Sequence, residues 1–146
     1  MQRTTLIISL CFTIAALFGQ EKGTTNYQEA LENAKNEGQV LVIQFSGSDW
    51  CSPCIRLEEQ ILNTAAFQAY QEKFVWLKAD FPRKKANRLT EEQQIHNDAL
   101  AERYNSKGSF PLLVFINNEE KVLGSIGYQP KSPEEYIVLI EKILSN

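Results

Sequence analysis

Apolar positions along this chain switch between helical and strand spacing, and the switches lay out its elements. Residues 27, 30, 31 and 34 are apolar or small at helical spacing, and Gly38 ends that run after Glu37. Val40 to Phe45 is a short, almost continuous apolar stretch rich in β-branched side chains. Bounded by Gly38 and Gly47, it predicts a strand buried on both faces. Ile55, Leu57, Ile61 and Leu62 return to a helical pattern, which Asn63-Thr64 breaks and re-caps before residues 65–73. Phe74 to Asp80 reads as a second strand, and Phe81 to Arg88 as a basic loop. Thr90-Glu91-Glu92-Gln93 fits a capping box that opens a helix toward Tyr104.

The last third follows the same logic. Residues 106–109 form a turn, and Pro111 precedes a strand from Leu112 to Ile116. Residues 117–120 turn the chain back into a hairpin strand from Lys121 to Ile126. Ser132-Pro133-Glu134-Glu135 combines an N-cap, a proline at the first helical position and a glutamate at the third. The closing helix puts Tyr136, Ile137, Ile140, Ile143 and Leu144 on one face. The order is α-β-α-β-α-β-β-α, an α/β arrangement. A right-handed crossover makes the first two strands parallel, and the tight turn makes the last two antiparallel.

The first twenty residues do not belong to that pattern. Arg3 is followed by a largely apolar run from Leu6 to Phe18, and no acid appears before Glu21. A run of that size suits a signal peptide and is shorter than the roughly 20 residues that span a bilayer. Cleavage is expected near Gln20. The expected organisation is a signal peptide over 1–20, a flexible leader over 21–26 and one domain over 27–146, with the mature protein periplasmic or secreted. About 126 residues remain, enough for one compact core.

Removing that segment takes away one base and no acid, so the chain becomes more acidic than its formal charge of −3. Nothing resembles the basic footprint of a nucleic-acid binder. The segment also carries Cys11, so only Cys51 and Cys54 remain.

Three readings compete for that pair. A zinc site commonly needs four Cys or His ligands, and the single His96 lies far away in a polar helix, where it is expected to be exposed. A structural staple would close about the shortest loop possible and constrain little. Redox catalysis fits best, because a Cys-x-x-Cys pair between a buried strand and a helix start places a thiolate at the positive end of a helix. On that reading Cys51 is exposed and nucleophilic, and Cys54, one turn further in, resolves the mixed disulfide. Pro53 suits the first turn, where its missing N–H is not needed. Asp49 either caps the helix or opposes the thiolate, and the cap is favoured. Trp50 packs beside the active sulfur or serves as a core aromatic.

Trp50-Cys51-Ser52-Pro53-Cys54 matches the W-C-x-P-C motif of the thioredoxin superfamily, which the chain resembles over about residues 27–145. Phe110-Pro111 matches the position of that family's cis-proline, and Gly127 a glycine the family keeps nearby. Ser46 to Cys51 and Ala79 to Lys85 look most like secreted bacterial members. The resemblance implies a three-layer α/β/α sandwich with a four-stranded mixed sheet. It also implies disulfide exchange with protein substrates and no cofactor or metal. Trp50, Phe110, Pro111 and Gly127 would meet the substrate, and an exposed patch of Trp50, Phe110 and Tyr128 would bind unfolded protein. A monomer is expected, with a membrane thiol reductant as a candidate electron donor.

One departure stands out. Thioredoxins usually keep a buried acid where this chain has Gln44, which cannot titrate. Glu58 lies four residues after Cys54 on the same helical face, and the C-terminal domains of transmembrane disulfide reductases have a glutamate at a similar offset. Glu58 is therefore a candidate proton relay, set against the plain reading of a solvated helix glutamate. A copper-binding or delivery module is the alternative function, since two thiolates suit Cu(I). The basic loop at Arg83, Lys84, Lys85 and Arg88 is either a solvated loop or a surface for an acidic partner.

Overall fold

The computed structural model describes residues 24–145. The expected signal peptide over residues 1–20 lies outside them.

Helix α1 (Tyr27–Glu37) starts where the Asn26 side chain accepts the Glu29 N–H. It ends at Gly38, whose φ of 65° is the left-handed conformation that glycine adopts without strain. Strand β1 (Val40–Ser46) then runs through the centre of the molecule. It pairs parallel with β2 (Phe74–Asp80), from Val40 opposite Phe74 to Ser46 opposite Asp80. On its other side it pairs antiparallel with β3 (Leu112–Ile116), with Phe45 opposite Leu112. Strand β4 (Val122–Ile126) closes the hairpin through an irregular register at Phe115 and Ile116. The sheet order is β2-β1-β3-β4, the mixed four-stranded sheet expected.

The period-2 alternation of β1 divides the core into two layers. Leu41, Ile43 and Phe45 pack with α1 and α4 (Glu91–Tyr104), through Leu31, Ala34 and Leu100. Val42 packs on the opposite face with Leu57, Ile61, Phe67, Tyr136 and Ile140. Those residues come from α2 (Ser52–Leu57) and its continuation, α3 (Ala65–Gln71) and α5 (Pro133–Leu144). Burying each large apolar side chain contributes about 1.5–3 kcal/mol, so the two layers hold the sheet rigid beneath the loop that leaves β1.

The helix after the cysteines is not uniformly α. It passes into a π turn over Glu58–Leu62, and Thr64 re-caps the chain by accepting the Phe67 N–H. The Ser132 capping box is complete in both directions.

Three expectations need correction here. Residues from Thr24 on do not form a loose leader, because Thr24 adds a parallel bridge to Leu77 at the edge of β2 and Asn26 caps α1. The box at Thr90 is only half formed: Thr90 accepts the Gln93 N–H, but the Gln93 side chain donates instead to Thr25 O and Asn97 Oδ1. His96 is half-buried rather than exposed, since its Nε2 accepts the Tyr27 N–H and ties α4 to the start of α1.

Candidate active site

The chain leaves β1 at Ser46, at the centre of the sheet, and reaches α2 through residues 47–51. Cys51 occupies the N-cap with extended backbone (φ −89°, ψ 97°), and its Sγ accepts the Cys54 N–H at 3.3 Å. Cys51 and Cys54 form a disulfide, their Cα atoms 5.2 Å apart. The Gly47 N–H points at Cys54 Sγ, 3.5 Å away. Both sulfurs therefore sit among backbone donors, which favour negative charge on sulfur once the bond is reduced. Cys51 was expected to be exposed, yet in this oxidised state it is only 4% exposed and Cys54 2%. The N-cap geometry folds the Cys51 side chain back over the first turn of α2, and that accounts for the difference.

Trp50 and Phe110 form the rim. The Trp50 indole donates to Phe81 O at 2.7 Å and meets the Phe110 ring edge-on, centroids 5.7 Å apart. Gly47 permits this placement, because a Cβ there would collide with the Trp50 ring. The Phe110–Pro111 peptide is cis, and Pro111 is buried immediately before β3. A Cβ on Gly127 would come within 3.3 Å of Pro111 O, so the glycine lets the segment after β4 close on the proline. Tyr136 Oη fixes that segment by donating to Gly127 O at 3.0 Å. Trp50, Phe110, Pro111 and Gly127 are thus linked around the end of the sheet. Tyr128, which follows Gly127, donates to Gln60 Oε1 and lies beneath Arg56.

Asp49 does not cap α2, because Cys51 does. Its carboxylate instead accepts the Arg83 and Lys84 backbone N–H groups, both at 2.9 Å, and the Asn87 amide at 3.0 Å. The Arg83 N–H, with Asn87 and Lys84, holds the Asp49 carboxyl below its usual range. The adjacent Ser48 is fastened to Asp80 through its N–H and its hydroxyl. The basic loop is therefore clamped to the cysteine loop through its backbone, while the side chains of Arg83, Lys84, Lys85 and Arg88 are solvated as expected. Nothing in the local sequence announces this, because the partners lie more than thirty residues apart.

Beneath the pair, Gln44 is 3% exposed. Its carbonyl accepts the Trp76 indole N–H at 2.9 Å, and its amide donates to Glu58 Oε2, also at 2.9 Å. Lys78 Nζ reaches the same carboxylate oxygen at 3.3 Å. Glu58 is half-buried one turn beyond Cys54, where a cleft of about 450 Å³ opens between Glu58, Gln44, Trp76, Lys78, Gln68 and Thr24. The plain reading of Glu58 as a solvated helix residue does not describe this environment. The π turn that starts at Glu58 is the local distortion that carries it.

His96 is held against α1, on the opposite side of the sheet from Gln44 and Glu58, which leaves the cysteine pair without a histidine neighbour. Among the described residues, no group of three or more His, Cys, Asp or Glu side chains could hold a metal ion.

Comparison with known proteins places this geometry among relatives. Residues 23–118 match the thioredoxin-like family. The disulfide bond reductase DsbH of Chlamydia pneumoniae is 36% identical over 120 residues, covering 82% of this chain and 70% of that protein. The thioredoxin-related protein DsbJ of the same organism is 30% identical over 103 residues, which is 70% of this chain but 29% of DsbJ. A solved structure of a DsbH oxidoreductase superposes with a TM-score of 0.76 at 34% identity, covering 82% of each chain. The oxidised C-terminal domain of Neisseria meningitidis DsbD shares the fold, with a TM-score of 0.52 at 23% identity over 79% of this chain and 90% of that domain.

Proposed function

The chain belongs to the thioredoxin-like family and is a thiol–disulfide oxidoreductase, and we propose that it runs as a reductase of protein disulfides outside the cytoplasm. The observation that carries the reading is the Cys51–Cys54 disulfide at the N-cap of α2, beside cis-Pro111. The reductase direction is supported by the 36% identical relative named for that activity. The periplasmic or secreted location rests on the apolar run from Leu6 to Phe18, which has the size of a signal peptide.

In the reducing half-cycle the Cys51 thiolate attacks one sulfur of the client disulfide. A Cys51–client bond forms, the client bond breaks, and the other client sulfur leaves as a thiolate. Cys54 then loses its proton and attacks Cys51 Sγ, which releases the second client sulfur and closes the Cys51–Cys54 bond. Two electrons pass from the dithiol to the client, whose two sulfurs end as thiols.

Backbone donors around the pair stabilise the attacking thiolate. Glu58 takes up the Cys54 proton, oriented by Gln44 and Lys78 and reached by solvent through the adjoining cleft. Trp50, Phe110, Pro111 and Gly127 form the surface the client meets. A membrane-borne thiol reductant restores the dithiol, and the protein acts as a monomer.

Dithiol-driven insulin reduction tests the reading. The protein should precipitate the insulin B chain catalytically, and Cys51→Ser should abolish this. A wild-type rate no higher than that of the dithiol alone would overturn the proposal.

A further inference from the structure

The segment Phe81–Arg88 carries four cations, Arg83, Lys84, Lys85 and Arg88, in an acidic chain, and all four are exposed. It is built onto the redox site at several points. The Arg83 guanidinium lies 3.6 Å from the centroid of the Trp50 ring, and Trp50 immediately precedes Cys51. Phe81 O receives the Trp50 indole, and the Phe81 ring meets Phe110, with centroids 5.3 Å apart. Asp49 fixes the backbone of the turn.

The charge on this lip is available. Other cations, namely Lys73, Lys78, Arg103 and Lys131, have carboxylate partners, whereas none of the four on the lip is in an ion pair among the described residues. Asp49 lies near Lys84, but its oxygens are taken by N–H donors. The acids that flank the segment along the chain are engaged elsewhere: Asp80 accepts the Ser48 N–H and hydroxyl, and Glu91 and Glu92 occupy the first turn of α4, where the helix dipole favours them.

We propose that this lip selects clients whose reactive cysteine is flanked by acidic residues. The inference rests on the reductase reading and names its substrate class. A client sulfur that reaches Cys51 passes Trp50, so the residues beside it meet Arg83. Arginine and lysine form charge-assisted hydrogen bonds with carboxylates there, and the local field raises the encounter rate. Attraction arises at the lip and not from the whole molecule, whose net charge has the opposite sign.

The test uses reduced wild-type protein and two disulfide-linked peptides, identical except for two glutamates or two lysines beside the cysteine. Single-turnover rate constants are measured at about 20 mM and about 500 mM NaCl, since screening shortens from tens of ångströms to a few across that range. The acidic peptide should react roughly tenfold faster or more at low salt, the lower end of electrostatic steering. The ratio should fall toward one at high salt and invert in a Lys84→Glu/Lys85→Glu/Arg88→Glu variant. Equal rates at low salt, or a ratio that salt leaves unchanged, would overturn the inference and leave the reductase reading standing. No exchange with either peptide would overturn both.

Discussion

The buried amide of Gln44 donates to the carboxylate of Glu58 at 2.9 Å, joining the centre of the sheet to the helix that carries the cysteines. Gln44 has no proton to give or take at ordinary pH, so its contribution is positional. With Lys78 it fixes a titratable group one turn from Cys54.

Glu58→Gln keeps the shape and can still pair with Gln44, while losing the Lys78 ion pair. Partly exposed pairs of this kind contribute about 0–1 kcal/mol, so stability should barely change. The resolving step should slow by tenfold or more, given that acid–base assistance contributes about 10²–10⁴. Stopped-flow rates against pH give the decisive readout. A profile of unchanged height and shape would remove Glu58 from the mechanism.

The Asp49 carboxyl, held low chiefly by the Arg83 N–H, links the lip to pH. A group whose folded value lies below its unfolded value of 3.8 stabilises the fold above that value. The stabilisation is lost as pH falls through the folded value. As pH falls through that lowered value, the loop should release from the cysteine loop, and Trp50 fluorescence should report it. Asp49→Ala should already show the released signal at pH 7. Identical acid titrations of the two proteins would contradict the clamp.

Gly47→Ala places a methyl group where the Trp50 ring lies. Either Trp50 or the backbone must move, and such overpacking costs about 1–3 kcal/mol. Urea unfolding should show the loss. Slower insulin reduction should accompany it, because the indole loses its bond to Phe81 O. Unaltered stability together with an unaltered fluorescence spectrum would show that the ring is not held as described.

These residues also mark how far the sequence could be read. Spacing was enough for the elements, because burial of β1 on both faces and the caps at Gly38, Thr64 and Ser132 are local signals. Glu58 was reachable from its offset to Cys54. Its partners were not, since Lys78 lies 20 residues away on a neighbouring strand. Asp49 looked like a helix cap because it precedes a helix, yet Cys51 takes that place and the loop at Arg83, 34 residues on, takes Asp49. His96 looked exposed in a polar helix until the Tyr27 N–H, 69 residues away, claimed its ring. In each case the missing information was tertiary: which distant backbone group a polar side chain would satisfy.

The division of labour within the Cys51–Cys54 pair is the central claim, and trapping tests it most directly. Cys54→Ser, reduced and mixed with oxidised client protein, should accumulate a mixed disulfide, and mass spectrometry of the digest should place it on Cys51. Cys51→Ser should trap little or nothing. Equal trapping by both variants, or a mixed disulfide on Cys54 alone, would contradict the account.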